Sequence, residues 1–157
     1  MTTPPRQKLL LFVCSGNTCR SPMAEAMARA DACLPEGWRV ASAGLHCAAG
    51  APASREAISV ARENGWDLHG HRSRPMTDAL AASASLIVGM TADHVHELRA
   101  RFPHGAHKVR LFRDYSPWAA GRDIPDPFGG TADDYRACLS VLRESLPGLF
   151  AALKSKS

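Results

Sequence analysis

A cysteine and an arginine stand six positions apart near the amino terminus, in the stretch VCSGNTCRSPM. Cys14 and Arg20 are separated only by small or polar residues and a second cysteine. A thiolate is a strong nucleophile, and a guanidinium is a permanently charged fork that binds two phosphate oxygens at once. Together the two residue types indicate transfer of a phosphoryl group to sulfur. The stretch lacks the GK[ST] sequence of nucleotide-binding loops.

The residues on either side of this stretch predict a strand, a loop and a helix. Lys8 to Val13 is a nearly continuous apolar run, which predicts a buried strand. Ser21 precedes Pro22, the expected first helical position. The loop therefore ends at a helix N-terminus, where unpaired N–H groups bind anions.

The loop itself has the properties of an oxyanion cradle. Its backbone N–H groups can surround a tetrahedral anion, and Gly16 is expected to permit the tight path of the chain. The same N–H groups favour the thiolate form of Cys14, and Ser21 is placed to donate a hydrogen bond to that sulfur. We predict a phosphate-binding loop made of Ser15, Gly16, Asn17, Thr18, Cys19, Arg20 and Ser21.

Phosphoryl transfer through sulfur also needs an acid for the leaving group and a base for water. The stretch DIPDPFGG offers Asp126 in a loop bracketed by prolines, where the backbone is stiff and the side chain can overhang a site. Asp123 is the alternative candidate. Asp133 and Asp134 are expected to cap the last helix instead.

The rest of the chain alternates short apolar runs with helical patterns. This order predicts an α/β, three-layer fold: a short four-stranded parallel sheet with helices on both faces. Ligands bind beyond the carboxyl ends of such strands, where the predicted loop lies. The further strands are predicted at Trp38–Ala43, Leu86–Met90 and Lys108–Phe112, and the further helices at Ser54–Asn64, Met76–Ala82, Ala92–Phe102 and from Thr131, with a break or kink at Pro147-Gly148.

The composition is that of one globular domain. The chain has 157 residues, 45% hydrophobic and 22% charged, which predicts a single domain over residues 1–157 with a flexible lead-in at 1–7. The net charge is +4, and the Lys and Arg residues are scattered along the chain, which suits an anionic substrate and does not indicate nucleic-acid binding.

No apolar run predicts a membrane span and no signal peptide is recognisable, so a cytoplasmic location is predicted. The five cysteines have neither disulfide-scaffold nor metal-ligand spacing, and no cofactor is expected.

The stretch VCSGNTCRSPMAEAM, followed later by DPFGG, resembles the low-molecular-weight protein-tyrosine-phosphatase family over nearly the whole chain. The resemblance implies a cysteine-dependent phosphatase that acts on phosphorylated proteins through a cysteinyl-phosphate intermediate and releases inorganic phosphate. It implies that Cys14 is the nucleophile, Arg20 the phosphate clamp and Asp126 the acid and base, while Asn17 and Ser21 stabilise the loop and the thiolate.

The same resemblance implies three further roles. Ser42 in ASAG and His71 in HGHRSR resemble the residues that fix Asn17 in place. Cys19 matches a family position that can form a protective, reversible disulfide with Cys14.

Two residues at the expected rim bear on the substrate. Thr18 stands where tyrosine-directed members usually have a branched aliphatic residue, and Phe128 is followed by two glycines in place of a second aromatic. Both features resemble the bacterial protein-arginine-phosphatase branch and favour phosphoarginine. Phosphotyrosine is the alternative, with Trp118 or Trp66 as a possible second aromatic wall.

Two other classes of protein would use the same scaffold. A thiol-linked arsenate reductase needs resolving cysteines in a mobile segment after the third strand, and residues 91–118 contain none. A non-catalytic phosphate-binding module would lack a usable acid, so the presence of Asp126 favours an enzyme.

Overall fold

A four-stranded parallel sheet forms the centre of the fold. The structure is a computed structural model that describes residues 7–155. Of the predicted lead-in at 1–7, all but the exposed Gln7 lies outside the described residues. The spatial order β2-β1-β3-β4 places the first strand inside the sheet. The strands are β1 (Lys8–Cys14), β2 (Trp38–Gly44), β3 (Leu86–Gly89) and β4 (Val109–Leu111).

Helices cover both faces of this sheet, because alternate residues of β1 point to opposite sides. Leu10 and Phe12 pack with residues of the first, second and last helices, whereas Leu9, Leu11 and Val13 pack with residues of the other two. The predicted α/β fold with a parallel four-stranded sheet is thereby confirmed. The helices are α1 (Arg20–Ala30), α2 (Arg55–Glu63), α3 (Asp78–Ser83), α4 (Ala92–Arg101) and α5 (Ala132–Lys154), with 3₁₀ turns at Pro103–Lys108 and Phe112–Tyr115.

The start of α1 differs from the prediction. The helix begins at Arg20, with Cys19 as its N-cap, so Pro22 occupies the third helical position and not the first. Proline is tolerated there because the N–H groups of the first turn have no partner within the helix. The shift matters for the site, because it places Arg20 in the first turn of the helix.

The end of the last helix also differs from the prediction. No break occurs at Pro147-Gly148, and α5 continues to Lys154 with Pro147 inside it. Proline removes one backbone hydrogen bond, but Leu146, Leu149 and Phe150 remain buried against the core on both sides of it. The predicted cap is confirmed: Thr131 and Asp134 form a reciprocal capping box.

None of the helices within residues 7–155 combines the length and apolar character that crossing a membrane requires. Groups of three or more His, Cys, Asp or Glu side chains arranged to bind a metal ion are also absent from these described residues.

Candidate active site

A cavity of about 230 Å³ opens at the carboxyl end of the first strand. Cys14 is the last residue of β1 and Arg20 the first of α1, and both side chains are buried. The strand-to-helix connection therefore places thiol and guanidinium in one hollow, as the spacing predicts. The lining residues are Cys14, Ser15, Gly16, Thr18, Cys19, Arg20, His46, Asp126 and Phe128.

Two consecutive hydrogen bonds lead to the thiol of Cys14. The side-chain amide of Asn17 donates to Ser21 Oγ over 2.8 Å, and Ser21 Oγ lies 2.9 Å from Cys14 Sγ. Because the hydroxyl oxygen of Ser21 already accepts a hydrogen bond from Asn17, its own proton is free to point at sulfur. Ser21 can therefore donate a hydrogen bond to Cys14 Sγ at the floor of the cavity.

Asn17 is fully buried and is the one non-glycine residue within 7–155 with a positive φ, 55°. Its side chain also donates to Ser42 Oγ (3.0 Å) and accepts from the backbone N–H of Arg74 (3.0 Å). His71 Nε2 donates to its carbonyl oxygen over 2.7 Å. The structure thus brings Ser42 and His71 into contact with Asn17, as the family resemblance implies.

The expectation for Gly16 was wrong. The tight turn of the loop falls on Asn17, and a Cβ at Gly16 would make only an ordinary 3.5 Å contact with Thr18 Oγ1. A glycine at this position is therefore not required by the local shape of the cradle.

Arg20 is in direct contact with the loop that contains Asp126. Arg20 Nη1 donates to the carbonyl oxygen of Ile124 (3.0 Å), and Nη2 lies 3.5 Å from Asp126 Oδ2. The Arg20 side chain is only 5% exposed, whereas that of Asp126 is 51% exposed. Asp126 therefore overhangs the cavity from its open side.

The alternative acid, Asp123, points elsewhere. Its Oδ1 accepts a hydrogen bond from the backbone N–H of Ala92 (2.8 Å), at the start of α4. It does not line the cavity. The structure therefore places Asp123 at the start of α4 and Asp126 at the cavity.

Thr18 and Phe128, the two residues predicted for the rim, both line the cavity. Phe128 is 73% exposed, and it is the one aromatic residue in the cavity lining apart from His46. Trp118 is 81% exposed and Trp66 packs against Arg143; neither lines the cavity. The suggested second aromatic wall is therefore not formed by either tryptophan.

Three further thiols lie near the site. Cys19 Sγ is 3.2 Å from the Tyr135 hydroxyl, and burial raises the pKa of that hydroxyl. Burial raises the pKa of Cys138 to about 12, and burial together with the nearby Cys14 raises the pKa of Cys47. All of them are free thiols. The reversible Cys14–Cys19 disulfide stays a prediction.

Sequence reasoning missed two histidines of the site. His46 lines the cavity and its Nε2 lies 2.7 Å from Glu97 Oε1. His94 is buried and contacts the loop through Ser15 Oγ, 2.8 Å from its Nε2. Neither residue belongs to a recognisable sequence motif, and each reaches the site only because its element folds against the loop.

Burial lowers the pKa of His94 to about 4. The positive charge of Arg20 acts in the same direction, whereas the carboxylates of Glu97, Asp123 and Asp126 oppose it. His94 is therefore neutral at neutral pH.

A buried thiol under a helix N-terminus, beside an arginine and an overhanging carboxylate, defines a class of protein suited to phosphoryl transfer through sulfur. Comparison with known proteins identifies the family within that class. The family model described as "Low molecular weight phosphotyrosine protein phosphatase" matches residues 9–157. The chain belongs to the low-molecular-weight phosphotyrosine protein phosphatase family.

Relatives of two names match almost equally well. The low molecular weight protein-tyrosine-phosphatase of Streptomyces coelicolor is 37% identical over 155 residues, covering 92% of this chain and 93% of that protein. The protein-arginine-phosphatase of Bacillus subtilis is 37% identical over 147 residues, covering 92% and 96%. Overall sequence identity therefore does not distinguish a tyrosine phosphatase from an arginine phosphatase.

Solved structures show the same fold. The YwlE arginine phosphatase from Geobacillus stearothermophilus has a TM-score of 0.85 at 35% identity, covering 95% of this chain and 94% of that one. A cysteine-to-serine mutant of YwlE arginine phosphatase with a phosphorylated active-site serine has a TM-score of 0.84 at 34% identity, covering 93% and 95%.

The buried neutral His94 predicts a loss of stability in acid. The unfolded chain binds a proton near the ordinary histidine pKa of 6.5, while folded His94 stays neutral to about pH 4. Stability therefore falls as the pH drops from 6.5 towards 4, by about 2 kcal/mol between pH 7.5 and pH 5 for this residue. Urea unfolding should show that difference between wild type and His94→Gln. An exposed-site control, His96→Gln, should lose stability as wild type does; identical pH curves for all three proteins would contradict the prediction.

Proposed function

We propose that the protein hydrolyses a phosphorylated protein side chain through a cysteinyl-phosphate intermediate, as a single phosphatase domain over residues 1–157. The observation that carries this proposal is the 2.9 Å contact between Cys14 Sγ and Ser21 Oγ at the floor of a cavity that also contains Arg20 and Asp126. A cytoplasmic location is part of the proposal, because a reducing compartment keeps a catalytic thiol free.

In the first step, the Cys14 thiolate attacks phosphorus. The S–P bond forms while the bond from phosphorus to the leaving group breaks, and protonated Asp126 gives its proton to the leaving atom. The N–H groups of the α1 terminus and the Arg20 guanidinium bind the phosphoryl oxygens as charge develops on them. The phosphorylated serine in the YwlE cysteine-to-serine mutant supports this assignment, because it shows an active-site side chain accepting phosphate in a similar protein.

In the second step, the Asp126 carboxylate takes a proton from water, and the water oxygen attacks phosphorus. The S–P bond breaks, inorganic phosphate leaves, and sulfur departs as a thiolate that accepts the hydrogen bond of Ser21. Asp126 is protonated again and ready for the next cycle. Its exposure of 51% supports this role, because water must reach it.

Phosphoarginine is the substrate that the rim supports best. Thr18 lines the cavity and places a hydroxyl where a branched aliphatic residue would press on an aromatic ring. Phe128 supplies one aromatic wall, since neither Trp118 nor Trp66 lines the cavity. A second wall in a ring-stacking site contributes about 0.5–1.5 kcal/mol beyond area burial.

Phosphotyrosine is the second candidate, and one observation favours it. Phe128 is 73% exposed at the cavity, so its ring face is open to stack on a substrate ring. The cradle is common to both substrates, and small aromatic phosphates should be hydrolysed in either case.

Two other functions have less support. Arsenate reduction needs a resolving thiol, but the nearby Cys138 is held protonated by a pKa of about 12. A non-catalytic binding module would need no acid, yet Asp126 lies 3.5 Å from the phosphate-clamping Arg20.

Replacement of the nucleophile should abolish turnover. We expect Cys14→Ser to show no turnover of p-nitrophenyl phosphate, because serine is a weak nucleophile and its phosphate ester lacks a thiolate leaving group, while circular dichroism shows an intact fold. Cys33 is exposed and remote in sequence from the loop, so Cys33→Ser should retain full activity. Substantial turnover by Cys14→Ser would end the proposed mechanism.

Replacement of the acid should slow the reaction without abolishing it. Asp126→Ala should lower kcat by about 10²–10⁴, since proton transfer to the leaving group is lost. The matched control is Asp123→Asn, which keeps the Oδ1 acceptor used by Ala92. If instead Asp123→Asn is the slow variant, the acid is Asp123.

The rim residue Thr18 should set the substrate preference. Thr18→Ile is expected to shift the ratio of kcat/KM for a phosphoarginine protein to that for a phosphotyrosine peptide towards tyrosine by about tenfold or more. Activity on p-nitrophenyl phosphate checks that the cradle is intact. An unchanged ratio would remove the argument for phosphoarginine.

A further inference from the structure

A buried histidine contacts the loop at Ser15, the residue that follows Cys14. His94 is the third residue of α4, only 6% exposed, and its Nε2 lies 2.8 Å from Ser15 Oγ. The approach depends on Gly89, because a Cβ there would lie 3.1 Å from Val95 Cγ2 and 3.3 Å from His94 Cβ. The first turn of α4 thus packs closely against the end of β3, beside the loop.

The other ring nitrogen of His94 decides which way this hydrogen bond runs. Nδ1 is buried and has no hydrogen-bond partner among the described residues. The ring is neutral at neutral pH, because burial lowers its pKa to about 4. Among backbone groups, buried N–H donors without an acceptor are rarer than buried acceptors without a donor. Applied to the ring, this preference places the proton on Nε2, so that His94 donates and Ser15 accepts.

A serine hydroxyl that accepts from one side is left with its own proton to donate. Ser15 follows Cys14 in the chain and lines the same cavity. The hydroxyl proton of Ser15 can therefore point into the cavity. The arrangement resembles the pair of hydrogen bonds in which Asn17 donates to Ser21 and Ser21 faces sulfur. A hydroxyl donating to a phosphoryl oxygen forms a charge-assisted hydrogen bond.

We propose that His94 is a positioning residue that turns the Ser15 hydroxyl proton into the cradle, where Ser15 donates a hydrogen bond to the phosphoryl group. This inference rests on the proposed function, because it concerns the same cavity. It adds one side-chain donor to the backbone N–H groups and Arg20, and it gives the buried histidine a role in binding and turnover.

A double-mutant cycle tests the inference. With p-nitrophenyl phosphate, Ser15→Ala and His94→Leu should each lower kcat/KM about tenfold or more, the loss expected for one hydrogen bond to a charged group. The double variant should be no worse than either single one, because both changes remove the same hydrogen bond. His94→Gln should retain most of the activity, since its amide can donate from the position of Nε2. His96→Ala, an exposed change on the same helix, should leave activity unchanged.

Titration of inorganic phosphate gives a second readout that does not require turnover. Its dissociation constant should rise in Ser15→Ala and His94→Leu alike, and not further in the double variant. If His94→Leu does not fold, His94→Asn replaces it, because the shorter amide cannot reach Ser15. Losses that multiply in the double variant, or a His94→Gln protein as impaired as His94→Leu, would overturn the inference. A wild-type protein without phosphatase activity would instead overturn the proposed function, leaving the phosphate titration as the test of the hydrogen bond.

Discussion

The conformation of the loop between Cys14 and Ser21 depends on the buried side chain of Asn17. Its left-handed conformation costs a non-glycine residue about 1–2 kcal/mol, and the surrounding contacts offset that cost. The amide fixes Ser21 and Ser42, while Arg74 and His71 bond to its two oxygen atoms. A glycine would relieve the backbone but would remove the donor that orients Ser21 towards the thiol. The same residue therefore shapes the cradle and sets its chemistry.

The loop that contains Asp126 is built on the opposite principle. Its beginning is anchored at Ile124, since the carbonyl oxygen of Ile124 accepts a hydrogen bond from Arg20 and its N–H donates to the carbonyl oxygen of Met90. Its centre is open, with Asp126 half exposed and Phe128 mostly exposed. Under the proposed function, the buried loop around Cys14 binds the phosphoryl group, which both candidate substrates share, and the exposed rim distinguishes the side chain that carries it. This division explains how one scaffold serves relatives named for two different substrates.

Much of the fold follows from local patterns. The apolar run before Cys14 predicts β1, and the Thr131–Asp134 pair predicts the start of α5, because both signals act within a few residues.

The helix start predicted from Pro22 and the helix break predicted from Pro147 were wrong for physical reasons. Pro22 lies in the first turn of α1, where backbone N–H groups have no partner within the helix. Pro147 lies inside α5, whose apolar residues are buried both before and after the proline. Packing therefore outweighs the local preference of the ring at Pro147, whereas the ring at Pro22 removes no hydrogen bond. The predicted role of Gly16 failed because hydrogen bonding, and not the absence of a side chain, allows the tight turn at Asn17.

The sequence by itself determined the parallel α/β order. It also predicted the cradle between Cys14 and Ser21 and the candidate acid Asp126, with Asp123 as the alternative, because the residues of each feature are contiguous. The tertiary structure decided which distant groups complete the cradle. The pairing of β2 with β1 brings Ser42 to Asn17, the loop between α2 and α3 brings His71 there, and the packing of α4 against Gly89 brings His94 to Ser15. A lone serine or histidine carries no signal in sequence, since its partner is dozens of residues away and the contact exists only after the chain has folded.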